Sequence, residues 1–238
     1  MYNRYIIDIK PLGFMWPMRD PFLFCAHHKD FYPAGNDQLG PAASLSGRNI
    51  GQDFSQENPW RMYHGDVVPG FPAHPHRGFE TVTIAYTGEV THRDSAGGGG
   101  TIAAGDVQWM TAGAGIVHNE FHSPAFSQQG GLMHMVQLWV NLPAKDKMTP
   151  AHYQAISKAQ IAQVDSDAGS VRLIAGDLDG HKGAAETYTP MRLWDVRVKA
   201  GQTMSLSQPD GWTTLLLVQS GTVQVNGSNT VGAAQLWC

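Results

Sequence analysis

Two short segments of this chain, His74-Pro75-His76 and His118-Asn119-Glu120, each set two potential metal ligands at positions i and i+2. Side chains alternate faces along a β-strand, so residues two apart point the same way and can grip one ion between them. Two such pairs make a four-ligand site of three imidazoles and one carboxylate: His74, His76, His118 and Glu120. That donor set suits iron, nickel, copper, manganese or zinc better than calcium or magnesium, which take all-oxygen shells. The expectation is one bound transition metal ion, with coordination positions left open for a small ligand or dioxygen.

Other residues compete for these roles. Glu80 is the alternative carboxylate, since its parity also lets it face inward unless Gly78 introduces a bulge that resets the register. Displaced by Glu120, it becomes a hydrogen-bond partner of the ligands or a satisfied strand acid. His92, in His-Arg-Asp, reads as a solvent-facing hairpin residue. His122 extends the parity of Glu120, but a turn is expected at Ser123-Pro124. His27 and His28 line a cavity mouth or lie exposed, and His134, between two methionines, reads as a core or barrel-wall residue. Phe71, Phe79, Trp109 and Met110 are read chiefly as core, with some lining an apolar pocket above the metal.

The elements that position these residues read as all-β. Short β-branched and aromatic runs are bounded by Gly, Pro, Asn and Asp throughout. The clearest strands are 80–86, 88–92, 101–103, 107–110 and 132–141, followed by 191–198, 213–219 and 222–225. The run Gly97 to Gly100 has no following Lys-Ser/Thr and no helix, so it is a hairpin loop and not a phosphate cradle. Gly113-Ala114-Gly115 likewise lacks the context of a dinucleotide fingerprint. A linker-like stretch from Pro143 to Pro150 separates a His-rich half, residues 1–143, from a second half, residues 144–238. The pattern around Leu215 to Val223 echoes that around Val82 to Val90, which suggests an internal duplication whose second copy lacks the histidines.

Composition bounds the rest. A formal charge of −4, from 16 basic and 20 acidic residues, offers no footprint for direct nucleic-acid binding. Two cysteines, Cys25 and Cys238, make no disulfide framework and no zinc-knuckle spacing. Nowhere do ~18 apolar residues run consecutively, and the first ten form an alternating Tyr/Ile segment without a secretory core. A soluble, cytoplasmic protein without membrane association is expected.

Taken together, Gly70-x3-His74-x-His76-x3-Glu80-x7-Gly88 and Gly105-x5-Thr111-Ala112-Gly113-x4-His118 resemble the two motifs of the cupin superfamily. The longer strings His74 to Thr83, His92 to Ser95, Gly105 to Gly113, Gly115 to Glu120, Gln137 to Pro143 and Lys145 to Met148 resemble the pirin family specifically. That resemblance implies a bicupin of two facing jelly-roll-like β-barrels: an N-terminal metal-binding barrel and a degenerate C-terminal one, which here looks truncated after Leu236-Trp237-Cys238. A barrel short of strands leaves open edges, so a homodimer or unusual C-terminal packing is expected. The resemblance places iron on His74, His76, His118 and Glu120, the four residues that strand parity selects.

It also implies a function of one of two kinds. The first is a quercetin (flavonol) 2,3-dioxygenase, with Fe(II), or alternatively Ni, Cu, Mn, Zn or Co, on the three histidines, and with Glu120 as both ligand and proton acceptor. A metal-bound carboxylate must loosen from the ion to act as a base. The second is a metal- or redox-sensing regulatory protein that binds a partner enzyme or transcription factor without catalysis.

Overall fold

The computed structural model describes residues 9–11, 15–227 and 229–237. In chain order its strands are β1 (Ile9–Pro11), β2 (Met15–Pro17), β3 (Phe22–Tyr32), β4 (Gly70–His76), β5 (Phe79–Thr87), β6 (Val90–Asp94) and β7 (Gly99–Ile102). They continue as β8 (Val107–Thr111), β9 (Ile116–His122), a one-turn helix α1 (Pro124–Gln129), β10 (Gly131–Asn141) and β11 (His152–Ile156). The remainder comprises β12 (Ala162–Ser166), β13 (Gly169–Ala175), β14 (Asp177–Leu178), β15 (His181–Lys182), β16 (Leu193–Val198), β17 (Leu216–Val218), β18 (Thr222–Val225), β19 (Asn229–Gly232) and β20 (Gln235–Trp237). The all-β expectation is borne out. The expected turn after His122 is the start of α1, where Ser123 caps the Phe126 N–H and Pro124 supplies a helix-ready φ.

Two sheets make the first barrel. One has six strands in the order β11-β8-β5-β10-β3-β2, the other four in the order β4-β9-β6-β7. The six-stranded sheet is covered on both faces. Its outer face, with Val82, Ile84, Val107, Trp109, Val136, Leu138 and Val140, packs on Ile174, Ala175, Met191 and Leu236 of the second half. Its inner face, carrying Thr83, Gln108 and Gln137, looks across at the four-stranded sheet, whose β9 brings Glu120 to those side chains. The alternation of every strand therefore assigns one set of residues to the inter-half core and the other to the barrel interior.

The second half builds the sheets β12-β13-β16, β14-β15 and β18-β19, and joins β17-β20 to β1 from the start of the chain. Strands thus cross between the halves in both directions: Ile9 pairs with Trp237, and His152 with Thr111. The stretch expected to be a linker is tied down. Lys147 Nζ donates to the Gly78 carbonyl at 2.9 Å and to Asn141 Oδ1 at 2.7 Å, and the Ala114 N–H donates to the Thr149 carbonyl at 2.8 Å.

Where β4 meets β9, Gly70 pairs with Phe121 and has φ 150°, and a Cβ there would run into the Glu120 carbonyl oxygen. Gly70→Ala must push β4 off β9, and is expected to lower stability by more than ~1 kcal/mol in denaturant titration. An unchanged midpoint would show that this close approach does not matter.

Candidate metal centre

The pairing of β4 with β9 builds the site. His74 stands opposite His118 and His76 opposite Ile116, while Phe71 stands opposite Glu120. The register shifts between Phe71 and His74, so Pro72 and Ala73 bulge against Asn119. Such a bulge re-aims the residues after it, and Pro72 is tolerated there because β4 is an edge strand with no donor to lose. On β9 the inward set is Ile116, His118, Glu120 and His122, all buried, with Val117 exposed between them.

His74, His76 and His118 converge, their ligand nitrogens all within 4.8 Å of one another. His74 Nε2 and His118 Nε2 are 2.9 Å apart, and the His76 ring lies 4.8 Å from His74 and 4.7 Å from His118, centroid to centroid. His74 Nδ1 sits 2.7 Å from the Pro72 carbonyl, which can only accept, so Nδ1 carries the proton and the Nε2 lone pair points at His118. Two nitrogens ~2.1 Å from one ion and at right angles about it stand ~3.0 Å apart, close to the spacing seen here. Burial, reinforced by the neighbouring imidazoles, pushes the His76 and His118 pKa values down to about 3. Both rings are therefore neutral near pH 7, the state a metal requires. The donor set fits a transition metal.

Glu120 is reached through His118. It shares a second cluster with His118 and His92. Its Oε1 accepts from Gln108 Nε2 and its Oε2 from Gln137 Nε2, the latter at 3.0 Å. The amide orientations are set from behind, because the Tyr153 hydroxyl donates to Gln108 Oε1 at 3.4 Å and the Trp139 indole to Gln137 Oε1 at 3.3 Å. Sequence reasoning missed this pair of glutamines, although both occupy inward positions two residues from an aromatic or a methionine on strongly patterned strands.

Glu80, the rival carboxylate, points elsewhere. It pairs with Thr111 and shares its sheet face with Val82 and Ile84, away from the barrel interior. Its Oε1 accepts from Thr111 Oγ1 at 2.6 Å, and burial raises its pKa against that bond. The inward parity expected of it fails because β4 and β5 lie in different sheets, with Gly78 at φ 77° between them, so no alternation carries across.

His92 corrects the sequence reading. It is fully buried rather than solvent-facing, pairs with Glu120 across β6 and β9, and its Nε2 lies 3.1 Å from Asp94 Oδ2 while its Nδ1 lies 3.1 Å from His118 Nδ1. His28 is buried on the inner face against Tyr63, at 2.8 Å, and Tyr63 in turn donates to Asp30 at 2.6 Å. His27 points to the opposite face, 3.1 Å from His134, which reaches Gln219 of the second half at 2.9 Å. His122 packs edge-on against Tyr32 and Phe126, away from the imidazole cluster. Trp109 and Met110 are core, as expected. Phe79 and Trp139, both half-buried, stack at 4.6 Å beside His76 and form an aromatic wall next to the cluster.

The Pirin family model matches residues 13–140. The chain belongs to the pirin family. Over 169 residues this pirin is 52% identical to a Pseudomonas aeruginosa protein named "Putative quercetin 2,3-dioxygenase PA2418", a match covering 70% of this chain and 59% of that protein. Over 159 residues it is 43% identical to Pirin-1 of Arabidopsis thaliana, covering 67% of this chain and 53% of that one. The pirin chain thus spans between half and three fifths of the length of these curated relatives. Among solved structures, quercetin 2,3-dioxygenase from Acinetobacter baumannii superposes with a TM-score of 0.78 at 39% identity, covering 98% of this chain and 77% of its own. GK1651 from Geobacillus kaustophilus superposes with a TM-score of 0.73 at 26% identity, covering 98% and 84%. The cupin barrel and the bicupin plan of the pirins therefore hold for this chain. No helix among the described residues is long and apolar enough to cross a membrane.

Proposed function

We propose that this pirin is a metal-dependent dioxygenase of the quercetin 2,3-dioxygenase type, acting on a small flavonol-like aromatic with Fe(II) as the preferred ion. The observation that carries the reading is the convergence of His74, His76 and His118, two of them buried and held neutral, with a bare Nε2 on His74 aimed into the cluster. Two relatives named for that activity, at 52% and 39% identity, support the substrate class.

His74, His76 and His118 would hold the ion, and Glu120 would complete the set. When bound, the ion supplies Lewis acidity toward an acidic hydroxyl and electrons for dioxygen. Glu120, fixed through both oxygens by Gln108 and Gln137, accepts the hydroxyl proton at the edge of the cluster. Trp139 and Phe79 offer a flat face against which an aromatic ring can stack beside His76.

The test is anaerobic Fe(II) reconstitution followed by oxygen uptake with quercetin, with His74→Ala as control. Uptake that depends on the metal and releases carbon monoxide supports the enzyme. Stoichiometric iron binding without uptake overturns it in favour of a redox-sensing protein that engages a partner. Parallel loading with Ni, Cu, Mn, Zn and Co ranks the ions. Glu120→Gln is expected to cut turnover by ~10²- to 10⁴-fold, the usual worth of a positioned base, with metal still bound by the three histidines. Full turnover at full metal content would remove the base role.

A further inference from the structure

The residues behind His118 form an unbroken row of polar contacts. Asp94 Oδ2 lies 3.1 Å from His92 Nε2, and His92 Nδ1 lies 3.1 Å from His118 Nδ1. His118 Nε2 lies 2.9 Å from His74 Nε2, and His74 Nδ1 lies 2.7 Å from the Pro72 carbonyl. Both ends of this row, a carboxylate and a carbonyl, can only accept. Counting one ring proton for each imidazole, three protons serve four contacts. The proton of His92 is committed to Asp94 and that of His74 to Pro72. His118 has a single proton for two bare nitrogens, His92 Nδ1 on one side and His74 Nε2 on the other.

We infer that Asp94 and His92 are positioning residues for the metal centre: by keeping His92 Nδ1 bare, they give the His118 proton a place to go and so leave His118 Nε2 open to a cation. This rests on the proposed metal reading of the same site. The row is one proton short, and the shortfall falls where a cation between His74 and His118 can make it good. Ligand histidines commonly have their second nitrogen held by a carboxylate, but here the carboxylate acts one imidazole further away.

The surroundings hold this pair in place. Asp94 Oδ1 accepts the backbone N–H groups of Ala96 and Gly98 at 2.8 and 2.9 Å, which leaves Oδ2 for His92. The Tyr153 ring stacks on His92 at 4.7 Å and 13°. A Cβ on Gly98 would lie 2.5 Å from Asp94 Oδ2 and 2.8 Å from Tyr153 Cβ. The four-glycine loop therefore has a use: Gly98 lets the chain wrap Asp94 closely enough to aim it at His92.

Asp94→Asn separates this role from a structural one. With Oδ1 still taking the two backbone donors, the amide presents an N–H to His92 Nε2. His92 must then carry its proton on Nδ1, and His118 must carry its own on Nε2, which donates to His74. All four contacts are filled and the metal face is closed. The experiment measures Zn(II) and Ni(II) affinity of both proteins by chelator competition, the thermal midpoint of each metal-free protein, and the His118 tautomer by long-range ¹H–¹⁵N correlation at pH 7.5. Expected are an Nδ1–H tautomer in the Zn(II)-loaded wild type, an Nε2–H tautomer in the variant, and a ~10- to 100-fold loss of metal affinity with no loss of metal-free stability. Unchanged tautomer and affinity in the variant would overturn the inference, as would a drop in metal-free midpoint with affinity unaltered. A wild type that takes up no metal, beside a variant whose His118 is Nε2–H, would sink the metal reading and leave the control of the tautomer by Asp94 supported.

Discussion

Replacing His118 by alanine is expected to abolish metal binding, with a loss of affinity beyond the ~100-fold that follows from disturbing an outer partner of a ligand. His118 belongs to both clusters of potential ligands, touches His74 through one nitrogen and His92 through the other, and is almost wholly buried. Its removal also strands His92 Nδ1 in the interior, where an unsatisfied group costs ~1–3 kcal/mol. Two effects therefore separate in a thermal melt. The metal-free variant should melt below the metal-free wild type, and added Ni(II) or Fe(II) should raise only the wild type. A ligand at a thousand times its Kd stabilises by ~4 kcal/mol, so the contrast is large. His122→Ala provides the control: it lies on the same strand and face but packs on Tyr32 and Phe126. If His118→Ala retained the metal-induced rise, the site would have to lie elsewhere.

The second large effect is on stability against acid. Burial first, and neighbouring imidazoles or cations in most cases, push His28, His76, His118 and His122 down to about 3 and His27 to about 4. In the unfolded chain the same rings titrate near ~6.5. Between those limits the unfolded state binds more protons, so this contribution is complete above the unfolded value and is lost as pH falls through the window. Each ring can contribute a slope of up to ~1.4 kcal/mol per pH unit there. Asp30 and Glu80 act in the opposite sense, since burial raises both and the native state keeps their protons where the unfolded chain would release them. His134 is lowered as well, so the depressed histidines outnumber the raised carboxylates and set the sense of the change at mildly acidic pH. The metal-free protein should lose thermal stability steeply between pH 7 and 5 in the presence of chelator. A flat midpoint over that range would mean that these histidines are not sealed from water.

Much of the site is legible in the sequence because strand parity is local. His74 with His76, and His118 with Glu120, are i, i+2 pairs on single strands, and β4 lies beside β9 with His74 opposite His118 and Phe71 opposite Glu120. What parity cannot supply is which sheet a strand joins. Glu80 looked inward only if β4 and β5 shared an alternation, and they lie in different sheets. His92, in a His-Arg-Asp hairpin, reads as exposed, yet the i, i+2 rule that selects the candidate ligands applies equally to His92 and Asp94 and singles out the pair. The eleven-residue β3 was hidden by the polar run His27 to Asp30 at its centre. Within that run His27, His28 and Asp30 are satisfied by His134, Tyr63 and Arg61, partners distant in sequence, so the burial of His28 and Asp30 is not visible locally.

The pairing of β1 with β20 has a consequence for the order of events during synthesis. A ribosome adding ~5–20 residues per second holds β1 without its partner β20 for on the order of ten seconds or more. The first barrel lacks β11 for part of that time and can pair its inner strands first, while the β1–β20 pairing must wait for β20. Closing so long a loop is slow. Until β20 emerges, the edge of β1 that it covers stays bare.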